Sequence, residues 1–124
     1  MTNLRIRDGG VSAVSRIGKA LDHPLRVRAL AALRDGELCV CELIELFRLA
    51  PSTVSKHMTI IADAGLISRR RDGRWTYYSL PKDPEPAIAH AIELVMSLVE
   101  DDPLVVDDRQ SIPRIHCPTG VLHE

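Results

Sequence analysis

The side chains best equipped for chemistry in this chain are three thiols, Cys39, Cys41 and Cys117. The thiolate is the form of cysteine that binds metals and attacks electrophiles. Soft thiolates select thiophilic centres, such as trivalent arsenic or antimony, over hard ions such as magnesium. Cys39 and Cys41 are separated by Val40 alone. Residues i and i+2 point to different sides of a helix but share a face in an extended segment. For both sulfurs to hold one ion, this segment must be extended or must distort the start of a helix, whose N-terminus would also favour thiolate. The plain alternative is burial, since free cysteines often serve as small apolar residues. Three thiols in a reducing compartment are not expected to form structural disulfides, and Cys117 could return as a third ligand or be incidental. His116 beside it could complete a tetrahedral site with Cys39 and Cys41, which would suit zinc or cadmium. Redox catalysis by paired thiols uses Cys-x-x-Cys within a βαβ setting, and neither occurs here. Nor does a Gly-rich phosphate loop or a Ser/His/Asp set. The expectation is therefore a protein that is not an enzyme and requires no cofactor, with reversible thiol oxidation as a rival to metal binding.

The elements that must position these thiols run from Glu37 to Leu80. After the cysteines, Leu43, Leu46 and Phe47 mark a short amphipathic helix over Cys41–Phe47. Pro51 suits the first turn of the next helix, where its missing N–H is not needed. That helix, Ser52 to Ala64, carries Val54, Met58 and Ile61 as one apolar stripe. Ser52, Lys56 and Thr59 face the other way, with Thr53, Ser55 and Ile60 on the flanks. Gly65 sits where a left-handed residue ends a helix. Two β-prone runs, Leu66–Ser68 and Trp75–Leu80, flank a hairpin containing Asp72-Gly73. The fold expected is mainly α with a small β-hairpin wing, a winged helix-turn-helix.

Two helices joined by a short turn and followed by a basic hairpin form a DNA-reading unit, the second helix entering the major groove. The expected contacts are Ser52, Thr53, Ser55, Lys56, His57 and Thr59 on that helix. Arg69, Arg70, Arg71 and Arg74 on the hairpin would reach phosphates or a minor groove. His57 lies between the apolar and polar faces and suits either a base contact or a structural hydrogen bond. The overall net charge is −1, but its distribution matters more. Residues 48–78 hold six positive groups against two negative, a balance of +4, whereas residues 79–124 hold three against nine, a balance of −6. A basic reading head with an acidic C-terminal end suits DNA contact on one side only.

Several stretches together resemble the ArsR/SmtB family of metal-sensing repressors: Ala20-Leu21-Asp22-His23-Pro24-Leu25-Arg26-Val27-Arg28, Glu37-Leu38-Cys39-Val40-Cys41-Glu42-Leu43, Ser52-Thr53-Val54-Ser55-Lys56-His57-Met58, Ala64-Gly65-Leu66-Ile67 and Gly73-Arg74-Trp75-Thr76-Tyr77-Tyr78. The resemblance covers about residues 21–80. It implies a dimeric winged-helix protein that binds operator DNA and leaves it when a metal or metalloid binds. The Cys-Val-Cys is similar to that of sensors of trivalent arsenic and antimony, which makes those the implied inducers and Cys39 and Cys41 the implied ligands; Cys117, outside the resemblance, is a candidate third ligand from its own or the partner subunit. Such sensors often carry a further cysteine one helical step later, where this chain has Ile44. Zinc-binding relatives use an Asp-x-His pair and a later His on the last helix. Here His90 is preceded two residues earlier by Ile88 and no second His follows on that helix. The resemblance further implies that the terminal helices pack on a second subunit, giving a homodimer.

The chain's 124 residues suit one domain. With 45% hydrophobic but only 3% aromatic residues, a small core plus a partner surface is the natural reading. Val11, Val14, Ile17 and Leu21 mark a first helix after a loose polar arm. Leu25 to Leu33 form a second, ended by Asp35-Gly36. Pro81, Pro84 and Pro86 mark a connector. Ile88, Ala91, Ile92, Val95, Leu98 and Val99 then stripe a last helix of about Pro86 to Val99. The division expected is a DNA-binding and dimerisation domain over 1–100 and an acidic, Pro-containing, non-helical tail over 101–124. There is no run of eighteen apolar residues and no signal-peptide pattern, so no membrane contact and a cytoplasmic location are expected.

Overall fold

The computed structural model describes residues 9–117. Helix α1 (Gly10–Ala20) is followed by α2 (Pro24–Ala32) and a 3₁₀ turn at Leu33–Asp35. Strand β1 (Leu38–Cys39) leads directly into α3 (Val40–Phe47), and α4 (Pro51–Asp63) follows. Strands β2 (Ser68–Asp72) and β3 (Trp75–Ser79) form the hairpin, and α5 (Pro86–Val99) and α6 (Pro103–Ser111) end the chain of elements with a 3₁₀ turn at Ile112–Arg114. The architecture is the mainly helical winged helix-turn-helix expected from the sequence. The N-terminal arm and the last seven residues of the tail lie outside the described residues. Among the described residues, no helix is long and apolar enough to cross a membrane.

Local chemistry sets the helix boundaries. Pro24, Pro51, Pro86 and Pro103 each open a helix, where a fixed φ helps and a missing N–H costs nothing. His23 Nδ1 accepts the Leu25 N–H at 3.0 Å, and Asp102 Oδ1 accepts the Leu104 N–H at 2.8 Å, each satisfying an orphan donor. Gly65, with φ +82°, ends α4 in the left-handed region as its position suggested. Its missing side chain also faces Ile88, whose Cδ1 would lie 3.5 Å from an added Cβ.

The core lies where α2, α4 and the sheet meet. Leu30, Leu33, Leu43, Val54, Met58, Ile61 and Leu66 are fully buried there. At about 1.5–3 kcal/mol per buried aliphatic side chain, this cluster is the main source of cohesion. The Val54–Met58–Ile61 stripe faces inward as its spacing predicts. Helix α3 packs on α4 and on β1 and β3.

Four expectations are corrected. The tail is helical over Pro103–Ser111: Asp102 caps it, Pro103 starts it, and it packs on α2 through Val105 and Asp108, both buried. Its prolines punctuate the ends of a helix rather than exclude one. Strand β2 begins at Ser68 and runs through the arginines, while Leu66 and Ile67 belong to the core. The turn is Gly73-Arg74, since Asp72 pairs with Trp75. Finally, Leu98 does not join the buried stripe of α5; it is 73% exposed, with Leu94 beside it at 58%.

Candidate nucleic-acid interface and cysteine site

Ser52, Thr53, Ser55, Lys56 and Thr59 all stand exposed on α4, on the side away from its buried stripe. His57 is half-buried and is held from behind. The Arg26 guanidinium, itself buried on α2, donates to His57 Nδ1 at 3.0 Å, to the Ala20 carbonyl at 3.2 Å and to the Lys19 carbonyl at 2.9 Å. One side chain thus ties the end of α1 to the reading helix. Burial, then the nearby positive charges of His23, Arg26 and Lys56, push the His57 pKa down. With Nδ1 accepting from an arginine, the imidazole is neutral and carries its proton on Nε2. His57 therefore has a structural partner, the second of the two roles its position allowed.

The arginines of the wing divide by strand alternation. Arg69 and Arg71 share one face of β2 and Arg70 takes the other. Arg69 lies 3.5 Å from Thr59 Oγ1 at the edge of α4, and Arg74 sits over the Trp75 ring at 5.3 Å. Arg70 makes a bidentate pair with Glu37, at 2.9 and 2.8 Å, and lies 4.4 Å over the Tyr77 ring. The pair holds the Glu37 carboxyl below its usual range. Arg70 therefore braces the wing against the segment leading into the cysteines.

That segment belongs to the wing's own sheet. Strand order is β1-β3-β2, all antiparallel, with Leu38 opposite Tyr78 and Cys39 opposite Tyr77. The sequence did not announce this two-residue strand. Cys39 closes it and opens α3, its N–H donating to Glu42 Oε1 at 2.7 Å. Its side chain is fully buried, and burial pushes its thiol pKa up, which keeps it protonated. Cys41, in the first turn of α3, faces outward and, against the expectation of free thiols, is joined to Cys117 in a disulfide, the Cα atoms 6.2 Å apart. The pairing that the structure makes is thus Cys41 with Cys117, and Cys39 stands apart in the core. Among the described residues, no three His, Cys, Asp or Glu side chains form a metal-binding group.

What brings Cys117 back is helix α6. Arg28 on α2 holds Asp108 through two hydrogen bonds of 2.9 and 2.8 Å, and Arg109 pairs with Asp35 at 2.9 Å. The Asp108 side chain is 5% exposed and that of Arg28 27%, so this pair is far better shielded than the surface pair. Sequence patterning missed both pairs because their partners lie 80 and 74 residues apart.

A three-stranded wing beside two helices in helix-turn-helix order, with a polar outer face on the second, defines a winged helix-turn-helix regulator. Residues 23–69 match the model of the bacterial regulatory protein arsR family. The HTH-type transcriptional regulator CmtR of Mycobacterium tuberculosis is 32% identical over 97 residues, covering 77% of this chain and 82% of that protein. This chain belongs to the arsR family of regulatory proteins. The arsenic resistance transcriptional regulator ArsR1 of Pseudomonas putida is 41% identical over 69 residues, a match covering 54% of each chain. Among solved structures, HlyU from Vibrio cholerae superposes with a TM-score of 0.59 at 28% identity, covering 70% of this chain and 91% of that one.

Proposed function

We propose that this protein is a metalloid-responsive repressor, which binds operator DNA as a dimer and releases it when trivalent arsenic or antimony is captured by its thiolates. The observation that carries this reading is the meeting of Cys41 and Cys117 on the outside of α3, the helix packed directly against α4. Ser52, Thr53, Ser55, Lys56 and Thr59 would face base edges, and Arg69, Arg71 and Arg74 would reach phosphates. His57 and Arg70 would act behind them, as positioning residues. A second copy of the chain would cover the apolar side chains left exposed on α1, Val11 and Val14 at 86% and 70%, and on α5, Leu94 and Leu98. Residues 1–100 would serve DNA binding and dimerisation, while 101–124 deliver Cys117.

Capture requires the reduced pair. A centre drawing both sulfurs together would shift the first turn of α3 and, through packing, α4. An inducer favouring the shifted state by about 3 kcal/mol weakens DNA binding on the order of a hundredfold. Cys39, buried and protonated, could join only if the β1–α3 junction opened. The disulfide itself favours a second reading, in which oxidation of the same pair is the signal.

Anisotropy titration of an operator fragment, selected from a random-sequence pool, tests both. Arsenite should release the reduced wild type, whereas Cys41→Ser and Cys117→Ser should bind DNA normally and ignore arsenite. Cys39→Ser should respond like wild type. Release by peroxide but not by arsenite or antimonite would favour the oxidation reading, and release by zinc or cadmium alone would displace the metalloid.

A further inference from the structure

Two sulfurs leave a trivalent arsenic or antimony centre one bond short. Cys39 is sealed in the core and no third ligating side chain joins the group among the described residues. A cleft of about 620 Å³ opens beside the residues that flank the pair, within the roughly 300–1,000 Å³ of small-molecule sites. The sulfurs themselves do not line it, but Glu45, one turn along α3 from Cys41, and His116, next to Cys117, both do, so the pair lies at its edge.

The charges of this cleft are mixed in a particular way. Arg28 and Asp108 line it but neutralise each other. Four further charged groups line it: Arg48 and Arg114, and Glu45 and Asp107, the last of which also acts on Arg28 from nearby. None of the four is in an ion pair among the described residues. Two guanidiniums offer planar recognition of carboxylates, and two carboxylates offer a place for an ammonium. A simple anion would meet the acids and a simple cation the arginines, whereas a molecule carrying both signs satisfies both.

We propose that this cleft binds a zwitterionic amino-acid or peptide thiol, which supplies the third sulfur to a metalloid held by Cys41 and Cys117. The proposal rests on the metalloid reading above. Two equivalents of the same thiol reduce the Cys41–Cys117 disulfide, giving two protein thiols and one small-molecule disulfide. Arsenous acid then exchanges its three As–O bonds for three As–S bonds, to Cys41, Cys117 and the small thiol. The three S–H protons leave with the three hydroxyls as water, and arsenic stays trivalent throughout.

The test uses the full chain reduced with a phosphine, with X-ray absorption at the arsenic edge and arsenite titrations. With phosphine alone, arsenic should show two sulfurs and one oxygen. With glutathione it should show three sulfurs, and half-saturation should fall about tenfold. The Arg48→Gln/Arg114→Gln variant should keep the two-sulfur complex and lose the glutathione effect, and 2-mercaptoethanol should not replace glutathione. Separately, S-methylglutathione should bind wild type about tenfold more tightly than that variant; equal binding overturns the proposal. Three sulfurs under phosphine alone would assign the position to Cys39 and overturn it as well. Arsenic binding that glutathione leaves unchanged overturns this proposal alone, while no arsenic binding in either condition overturns it together with the metalloid reading.

Discussion

Replacing Arg26 with Ala is the sharpest test of how the reading helix is held. The guanidinium makes three hydrogen bonds from a buried position, two of them to the carbonyls of Lys19 and Ala20 in the last turn of α1. Those carbonyls have no partner within their helix in the general case, and a positive charge at a helix C-terminus is favourable. A hydrogen bond to a charged group contributes about 1.5–3 kcal/mol singly, but three on one side chain do not add. Taking about 1 kcal/mol each gives a loss of about 3 kcal/mol. For a domain of this size that lowers the melting temperature by roughly 10 °C. Circular dichroism at one fixed protein concentration is the measurement, since dimerisation would make the midpoint concentration-dependent. Arg26→Lys keeps the charge but can reach only part of this set, and should recover less than half of the loss. Because His57 is released as well, operator affinity measured well below the transition should fall by more than the unfolded fraction accounts for. A drop smaller than about 3 °C, or unaltered affinity in the folded variant, would refute the bracing role.

Lys56→Ala and Arg71→Ala should each weaken operator binding and lower the slope of log affinity against log salt by about one unit per lost phosphate contact, read by anisotropy between low and moderate salt. Asp108→Asn should free α6 from Arg28, raising amide exchange over Pro103–Ser111 while the exchange of α4 stays unchanged, and weaken arsenite binding in parallel because Cys117 is no longer presented. His57 gives a pH dependence of defined sign: its folded pKa lies below the ordinary 6.5, so the unfolded chain binds more protons below that pH. Its contribution to stability is thus complete above 6.5 and declines as the pH falls toward the folded value. His57→Gln should flatten the dependence of the melting temperature between pH 7.5 and 5.5, and an unchanged profile would show that other groups set it.

What the sequence disclosed follows the range of each signal. Pro51 and Gly65 bracket the reading helix and Pro86 opens α5, so those elements were legible to within a residue or so, the usual scatter at helix ends. The exposed polar face of α4 followed from the spacing of Val54, Met58 and Ile61 alone. Strand β1 was not legible, because two residues carry no alternation and its existence depends on pairing with Tyr77 and Tyr78. The same limit hid α6, where three prolines outweighed one capping aspartate. The roles of Arg26 and Arg70 had only composition to suggest them, since a buried arginine and a DNA-facing one look alike in a sequence. The pairing of Cys41 with Cys117 spans 76 residues, beyond any local pattern.

That same span has a topological consequence. The bond closes a covalent ring over residues 41–117, and every side chain proposed to face DNA lies inside it, while α1, α2 and β1 lie outside. In the chain-entropy model a ring of this size restricts the unfolded ensemble by about 4–5 kcal/mol. A single backbone cut within the ring, at the wing for instance, would leave both pieces in one molecule until a reductant arrived. The oxidised protein therefore carries its reading head as a closed loop hung on an open scaffold, and a nicked sample should migrate intact on a denaturing gel without reductant and fall into two fragments with it.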